Sequence, residues 1–232
     1  MTEGVHPPRE GVGEAFSLTK MVKARDLTFE AIGRIAPQVR AGMTEGEANA
    51  LAQTELEAMG MDRLWHKNIL RFGEGTTETF AALMEPDRVL AANDIFFVDL
   101  GVVWDGHEGD AGDTFVVGAD TEMKACAQAA RDLWHEVADR WRRDGLSGEG
   151  LYQFALSRAE AMGWTLNWEV KGHRVSDFPH AIYKAGDLGE LETCPVTGLW
   201  ILEIQIAHPT RPFGAFYEDL LISDEAARKA SK

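Results

Sequence analysis

The chain has 232 residues, 45% of them hydrophobic and 26% charged, enough for one sizeable core and at the border between one large domain and two small ones. Acidic residues outnumber basic ones by 38 to 23, and the formal net charge of −15 removes the positive footprint that nucleic acid or an anionic membrane surface requires. Cys126 and Cys194 lie far apart without ligand spacing, which argues against a disulfide scaffold or zinc finger and fits a reducing compartment. The first residues lack an apolar leader and Asp99 interrupts the longest apolar run, Ile95 to Trp104, so the expected location is the cytoplasm.

Residues 1–14 read as a loose arm ahead of a single domain over 15–232. Ser17 suits the N-cap of a helix with apolar positions at Leu18, Met21, Val22, Phe29, Ile32, Ile35 and Val39, stopping before Ala41. Thr44 and Glu47 have capping-box spacing ahead of a second helix that Gly60 closes. Between Val89 and Val117 the period changes: IFFVDLGVVW, Asp105-Gly106 and GDTFVVG spell strand, tight turn and strand.

The order then repeats. One helix runs through Met123, Cys126, Leu133, Trp134 and Trp141 to Asp144-Gly145, and another runs from Ser147 to Met162-Gly163. Gly42, Met43, Thr44, Met59, Gly60 and Trp65 fall on Gly145, Leu146, Ser147, Met162, Gly163 and Trp168, each 103 positions later. A common register over six positions points to duplicated α+β halves, about 17–120 and 121–224, rather than two unrelated helical pairs. Such halves can join their hairpins into one curved antiparallel sheet, with helices outside and the concave face open for chemistry. After Asp224 the chain reads as a solvated tail or short helix.

Acidic residues are depleted inside strands, yet Asp99 sits within an apolar run. If Asp105-Gly106 is a two-residue loop, Trp104 pairs with His107 and Gly101 with Asp110, which makes Asp99 and Asp110 diagonal neighbours on one face. Glu203 interrupts LWILEIQI and Glu218 interrupts FYEDLLIS, and direct pairing across the intervening loop brings those two together. Four converging carboxylates repel one another unless positive charge lies among them, and the strand cores contain no Lys or Arg. Two divalent cations match four negative charges. His173 and His180 are the candidate nitrogen donors.

Asp99, Asp110, His173, Glu203 and Glu218, in the settings DLG, GD, GH and YED, resemble the ligand series of the pita-bread metallopeptidases, a superfamily that includes methionine aminopeptidase, aminopeptidase P, prolidase and creatinase. The resemblance spans about Ser17 to Ser223 and implies an α+β pita-bread fold of pseudo-two-fold halves. It implies two divalent ions, with Asp110 and Glu218 bridging them, Asp99 on one, and His173 and Glu203 on the other. Glu203 would take a proton from the shared water and His180 would stabilise the reacting carbonyl. Mn, Co, Fe and Zn all suit this donor set. The implied activity is that of an Xaa-Pro aminopeptidase or dipeptidase cleaving short peptides with a metal-bridged hydroxide; the partner expected is a small peptide or peptide-like substrate, and a homodimer is compatible.

Departures from that pattern keep a second class in view. Phe80 stands where these peptidases usually carry an upstream histidine, with His66 nearby but out of register; Arg174 and Ile204 replace a common glycine and proline. The chain also shows no counterpart of the N-terminal domain typical of aminopeptidase P, prolidase and creatinase. These features fit a C–N hydrolase or lyase of a small metabolite on the same scaffold. A non-catalytic binding module is the third reading, against which stand all five ligand positions. Arg174 is expected either to hold a substrate carboxylate or to pair with an acidic residue, and Trp65, Trp104, Trp168 and Trp200 are read as core packing.

Overall fold

Helix α1 (Leu18–Ile35) begins at Ser17, whose hydroxyl accepts the Lys20 N–H. It ends four residues earlier than the apolar period suggests, because Pro37 has no N–H to offer the preceding turn, and a 3-10 turn over Ala36–Gln38 follows. Helix α2 (Glu45–Ala58) carries the complete Thr44–Glu47 capping box. Short strands β1 (Arg63–Leu64) and β2 (Ile69–Phe72) precede the long pair β3 (Asp94–Trp104) and β4 (His107–Val117). The computed structural model describes residues 9–79, 82, 85–180 and 185–230.

The second half repeats the first. Helix α3 (Thr121–Asp144) ends on Gly145 in the left-handed region, and α4 (Gly148–Ala161) starts from the Ser147 hydroxyl. Both bounds of α4 lie 103 positions beyond those of α2. Strands β5 (Thr165–Leu166), β6 (His173–Arg174), β7 (Trp200–Ala207) and β8 (Gly214–Leu220) follow, then α5 (Asp224–Ala230). The strands form one antiparallel sheet ordered β1-β3-β4-β8-β7-β5, with β2 also on β3 and β6 also on β7. The arrangement reads the same from either edge, so the seam between the halves lies between β4 and β8.

Each half buries its own apolar cluster against its helices. Ile32, Leu56, Phe72 and Leu100 belong to the first, and Leu133, Trp134, Leu151, Trp200 and Leu202 to the second. Trp104 and Trp200 are buried as expected, whereas Trp168 is exposed, with Lys171 over its ring. Residues 9–14, expected to be loose, are tied to the body. Glu10 accepts the Val196 N–H at 2.8 Å and the Trp200 indole N–H at 2.7 Å, and Gly13 N–H bonds to Asp177 at 3.0 Å. Among the described residues no helix is long and apolar enough to cross a membrane.

Candidate metal centre

The β3–β4 turn sets the first part of the site. Asp105 and Gly106 both take positive φ, 49° and 70°, the conformation of a two-residue turn matched to strand twist. Trp104 then pairs with His107, Gly101 with Asp110 and Asp99 with Gly112. Across the seam Gly112 pairs with Glu218, and Glu218 pairs with Glu203. Asp99, Gly112, Glu218 and Glu203 thus form one row across four strands. Gly112 has to be small, since a Cβ there would lie 2.6 Å from the Phe216 ring and 3.0 Å from Glu218 Oε1. His173 pairs with Ile201, two residues before Glu203 on the neighbouring strand.

The side chains gather around Asp110, which is 1% exposed. His173 Nε2 lies 2.9 Å from Asp110 Oδ2 and His66 Nε2 lies 3.3 Å from Asp110 Oδ1. Two groups of donor atoms result, His66–Asp99–Asp110 and Asp110–His173–Glu218, each within 4.8 Å of one another, with Asp110 common to both. Glu203 belongs to neither group, although its carboxylate feels the charges of His173, Asp110 and Asp99.

Electrostatics record the crowding. Burial, followed by the charges of Asp110, Asp99 and Glu203, drives Glu218 well above the carboxylate range. Burial also raises Glu203 to about 7 and Asp99 to about 6, opposed by His173 and His66 respectively. Burial would raise Asp110 as well, but hydrogen bonds from His173 and His66 hold it below its ordinary value. Those histidines respond in kind: burial would lower them, yet Asp110 takes His173 to about 10, and Asp99 with Asp110 takes His66 to about 9.

The donor set fits divalent cations. Asp99 Oδ1 and Glu218 Oε1 are buried and accept no hydrogen bond, a costly state for oxygens unless a cation satisfies them. Donors about 2.1 Å from a shared ion stand roughly 3.0–3.4 Å apart in octahedral or tetrahedral arrangements. The contacts of 3.3 and 3.4 Å from His66 Nε2 to Asp110 and Asp99 have that spacing. Asp99, Asp110, His173 and Glu218 are the sequence-predicted ligands brought together, with Glu203 facing Glu218 across the strands.

His180 stands beside the cluster, its ring 6.4 Å from that of His173 and 5.2 Å from that of Trp65. Its Nδ1 is 2.7 Å from Glu108 Oε2, and the same carboxylate accepts the backbone N–H groups of His180 and Ser176 at 3.0 Å each. Sequence reasoning passed over Glu108, although two residues before Asp110 on one strand is the same face. Trp65 packs against the buried cluster of Met21, Val22, Val175 and Ile201 and also borders the site: it sits edge-on to His66, His173 and His180 and donates to the Gly109 carbonyl at 3.2 Å. Arg174 is buried and donates to the carbonyls of Arg9, Gly11, Val175 and Leu199, a structural use in addition to the two expected for it. Phe80 lies outside the described residues.

Comparison with known proteins supports the same reading of the fold. The sequence profile of metallopeptidase family M24 matches residues 19–222. Methionine aminopeptidase of Helicobacter pylori is 27% identical over 166 residues, 68% of this chain and 64% of that protein. Solved structures with the same fold include the X-Pro aminopeptidase of Thermotoga maritima, at TM-score 0.74 and 19% identity over 93% of this chain and 60% of that one. They also include a dipeptidase of Pyrococcus horikoshii, at TM-score 0.75 and 19% identity over 94% and 60%. The methionine aminopeptidase of Thermotoga maritima matches at TM-score 0.68 and 17% identity over 89% and 91%. The chain spans under two thirds of the length of the Helicobacter relative and of the longer structures.

Proposed function

The chain belongs to metallopeptidase family M24, and from that premise we propose that it is a dinuclear metal-dependent aminopeptidase or dipeptidase of short peptides, including those with proline after the cleaved bond. The observation that carries the proposal is the pair of donor groups sharing Asp110. Asp99 and Asp110 would hold one ion, and Asp110, Glu218, His173 and Glu203 the other, with Glu218 reaching toward both. Divalent ions bound there would polarise the scissile carbonyl and lower the pKa of water toward neutrality.

The chain's own residues do the rest. Glu203 accepts the proton that the attacking water gives up and returns it to the leaving amine. His180 commits Nδ1–H to Glu108, which leaves Nε2 for the substrate; with both ring nitrogens protonated it donates to the developing oxyanion. Trp65 closes one side of the site against the three imidazoles and limits water there. The oxygen-rich donors suit Mn, Co, Fe or Zn. The cytoplasmic placement rests on composition and on two unpaired cysteines, one of them exposed.

The test is metal analysis of the purified protein followed by a panel of Xaa-Pro and other dipeptides assayed with Mn and Co. About two ions per chain and EDTA-sensitive release of amino acid are expected. Turnover that survives exhaustive EDTA treatment sinks the proposal. Silence of a fully loaded protein across the panel moves the assignment to a C–N hydrolase or lyase of a small metabolite, the reading that Phe80 favours.

A further inference from the structure

His66 is a histidine for which hydrolysis by the groups above has no use, yet it is directed into the centre. Its Nδ1 lies 2.7 Å from the Lys67 carbonyl oxygen. A carbonyl only accepts, so Nδ1 carries the proton and Nε2 of the neutral ring is a bare lone pair. That lone pair faces Asp99 Oδ1 at 3.4 Å and Asp110 Oδ1 at 3.3 Å. Three acceptors converging on one point repel unless a positive charge lies between them, and a metal cation competes with a proton for that lone pair.

His173 has the same arrangement. Its Nδ1 lies 3.2 Å from the Arg174 carbonyl and its Nε2 is turned to Asp110. Each histidine therefore spends its outer nitrogen on the carbonyl of the next residue, the way ligand imidazoles are commonly oriented. The surrounding chain accommodates the His66 ring specifically. A Cβ at Gly101 would fall 1.9 Å from His66 Cδ2 and 2.2 Å from its Nε2, so β3 has a gap where the imidazole enters. Trp65 braces the ring edge-on, with centroids 4.5 Å apart.

We infer that His66 is a metal ligand of this protein, coordinating through Nε2 the cation held by Asp99 and Asp110, so that each of the two ions carries one imidazole. The inference rests on the proposed metal centre and adds a donor beyond the five expected from sequence. A nitrogen on the Asp99 side offsets part of the anionic character of that position and makes it more selective for borderline cations such as Co and Zn over Mg.

The experiment counts coordinated imidazoles in the intact chain loaded with Co(II). Each imidazole bound through Nε2 keeps an Nδ1 proton, which gives a strongly hyperfine-shifted, exchangeable proton resonance. Two such resonances are expected in the wild type. His66→Gln should remove one of them and weaken uptake of one ion by at least roughly 10- to 100-fold. His180→Gln should leave both in place. Because the count is made first on the wild type, it stands even if His66→Gln folds poorly, and circular dichroism of the metal-free variant reports that directly. A wild type that binds two ions with a single shifted resonance, or two resonances unaffected by His66→Gln, overturns the assignment of His66 while leaving the metal centre intact. Absence of Co(II) binding altogether overturns the centre and this inference together.

Discussion

The imidazole of His180 is anchored to Glu108 by two contacts at once, Nδ1 to Oε2 at 2.7 Å and the backbone N–H to Oε1 at 3.0 Å. Glu108 therefore fixes both the position of the residue and the orientation of its ring. Removing the carboxylate as Glu108→Ala is expected to lower kcat by about 10²-fold, the scale of a misplaced catalytic group, with little change in KM. Glu108→Gln, which keeps an acceptor oxygen, should recover part of the loss. Metal content measured alongside should be unchanged, and a fall in bound metal that accounts for the lost rate would refute the positioning role.

Glu203→Gln tests the proton acceptor. The amide preserves shape and an oxygen donor but cannot take the proton, so hydrolysis should fall by about 10²- to 10⁴-fold. Single-turnover assays at saturating Mn or Co check it. Rates within a few fold of wild type would reassign the proton to another group.

Protons and metal compete for this cluster, and the competition has a definite sign. In the metal-free protein neighbouring carboxylates outweigh burial and raise His66 to about 9 and His173 to about 10, from an ordinary value of 6.5. A group held above its unfolded value contributes stability that is complete below about pH 6.5 and is lost as pH rises through the folded value. Melting temperature of the EDTA-treated protein should therefore decline between about pH 6.5 and 10. The metal-loaded protein should gain in relative stability over the same range, because ligands shed protons to bind. Scanning calorimetry of both forms across that window decides, and parallel curves would contradict the account.

Asp219 is buried, and Arg25 of α1 meets its two oxygens at 2.6 and 2.5 Å. Arg25→Ala leaves a carboxylate stranded next to Glu218, at a cost of about 3–5 kcal/mol. Replacing the pair together, as Arg25→Met with Asp219→Leu, should cost less than the single change. Urea unfolding of the three proteins measures the order, and a double variant less stable than Arg25→Ala would contradict it.

Much of the centre is legible in the chain because hairpins transmit register. Asp105-Gly106 fixes Gly101 opposite Asp110, and the alternation of two then puts Asp99 on the shared face. The longer loop over 208–213 carries no such rule, yet His208 N–H meets the Phe213 carbonyl at 2.9 Å and closes it, which restores the Glu203–Glu218 pairing. His66 was hidden for a physical reason. It lies between β1 and β2, where no period exists and position is set by Trp65 N–H on the Gly101 carbonyl at 3.0 Å. Gly101, a missing side chain in a strand buried at every position, was the available signal. Helix α1 failed at its end for a simpler reason, since hydrophobic spacing continues through Pro37 while the hydrogen-bond ladder cannot.

The segment from Arg9 to Gly13 is bonded to both β6, which carries His173, and β7, which carries Glu203. Arg174, the neighbour of His173, grips the Arg9 and Gly11 carbonyls, and Trp200 at the head of β7 is bonded to Glu10. Limited proteolysis or truncation just ahead of Phe16 would therefore remove two of the carbonyls that Arg174 holds and the acceptor of the Trp200 indole together, three residues short of Glu203. A cut so far from the centre in sequence would be felt as leakage of the cation from the His173 side.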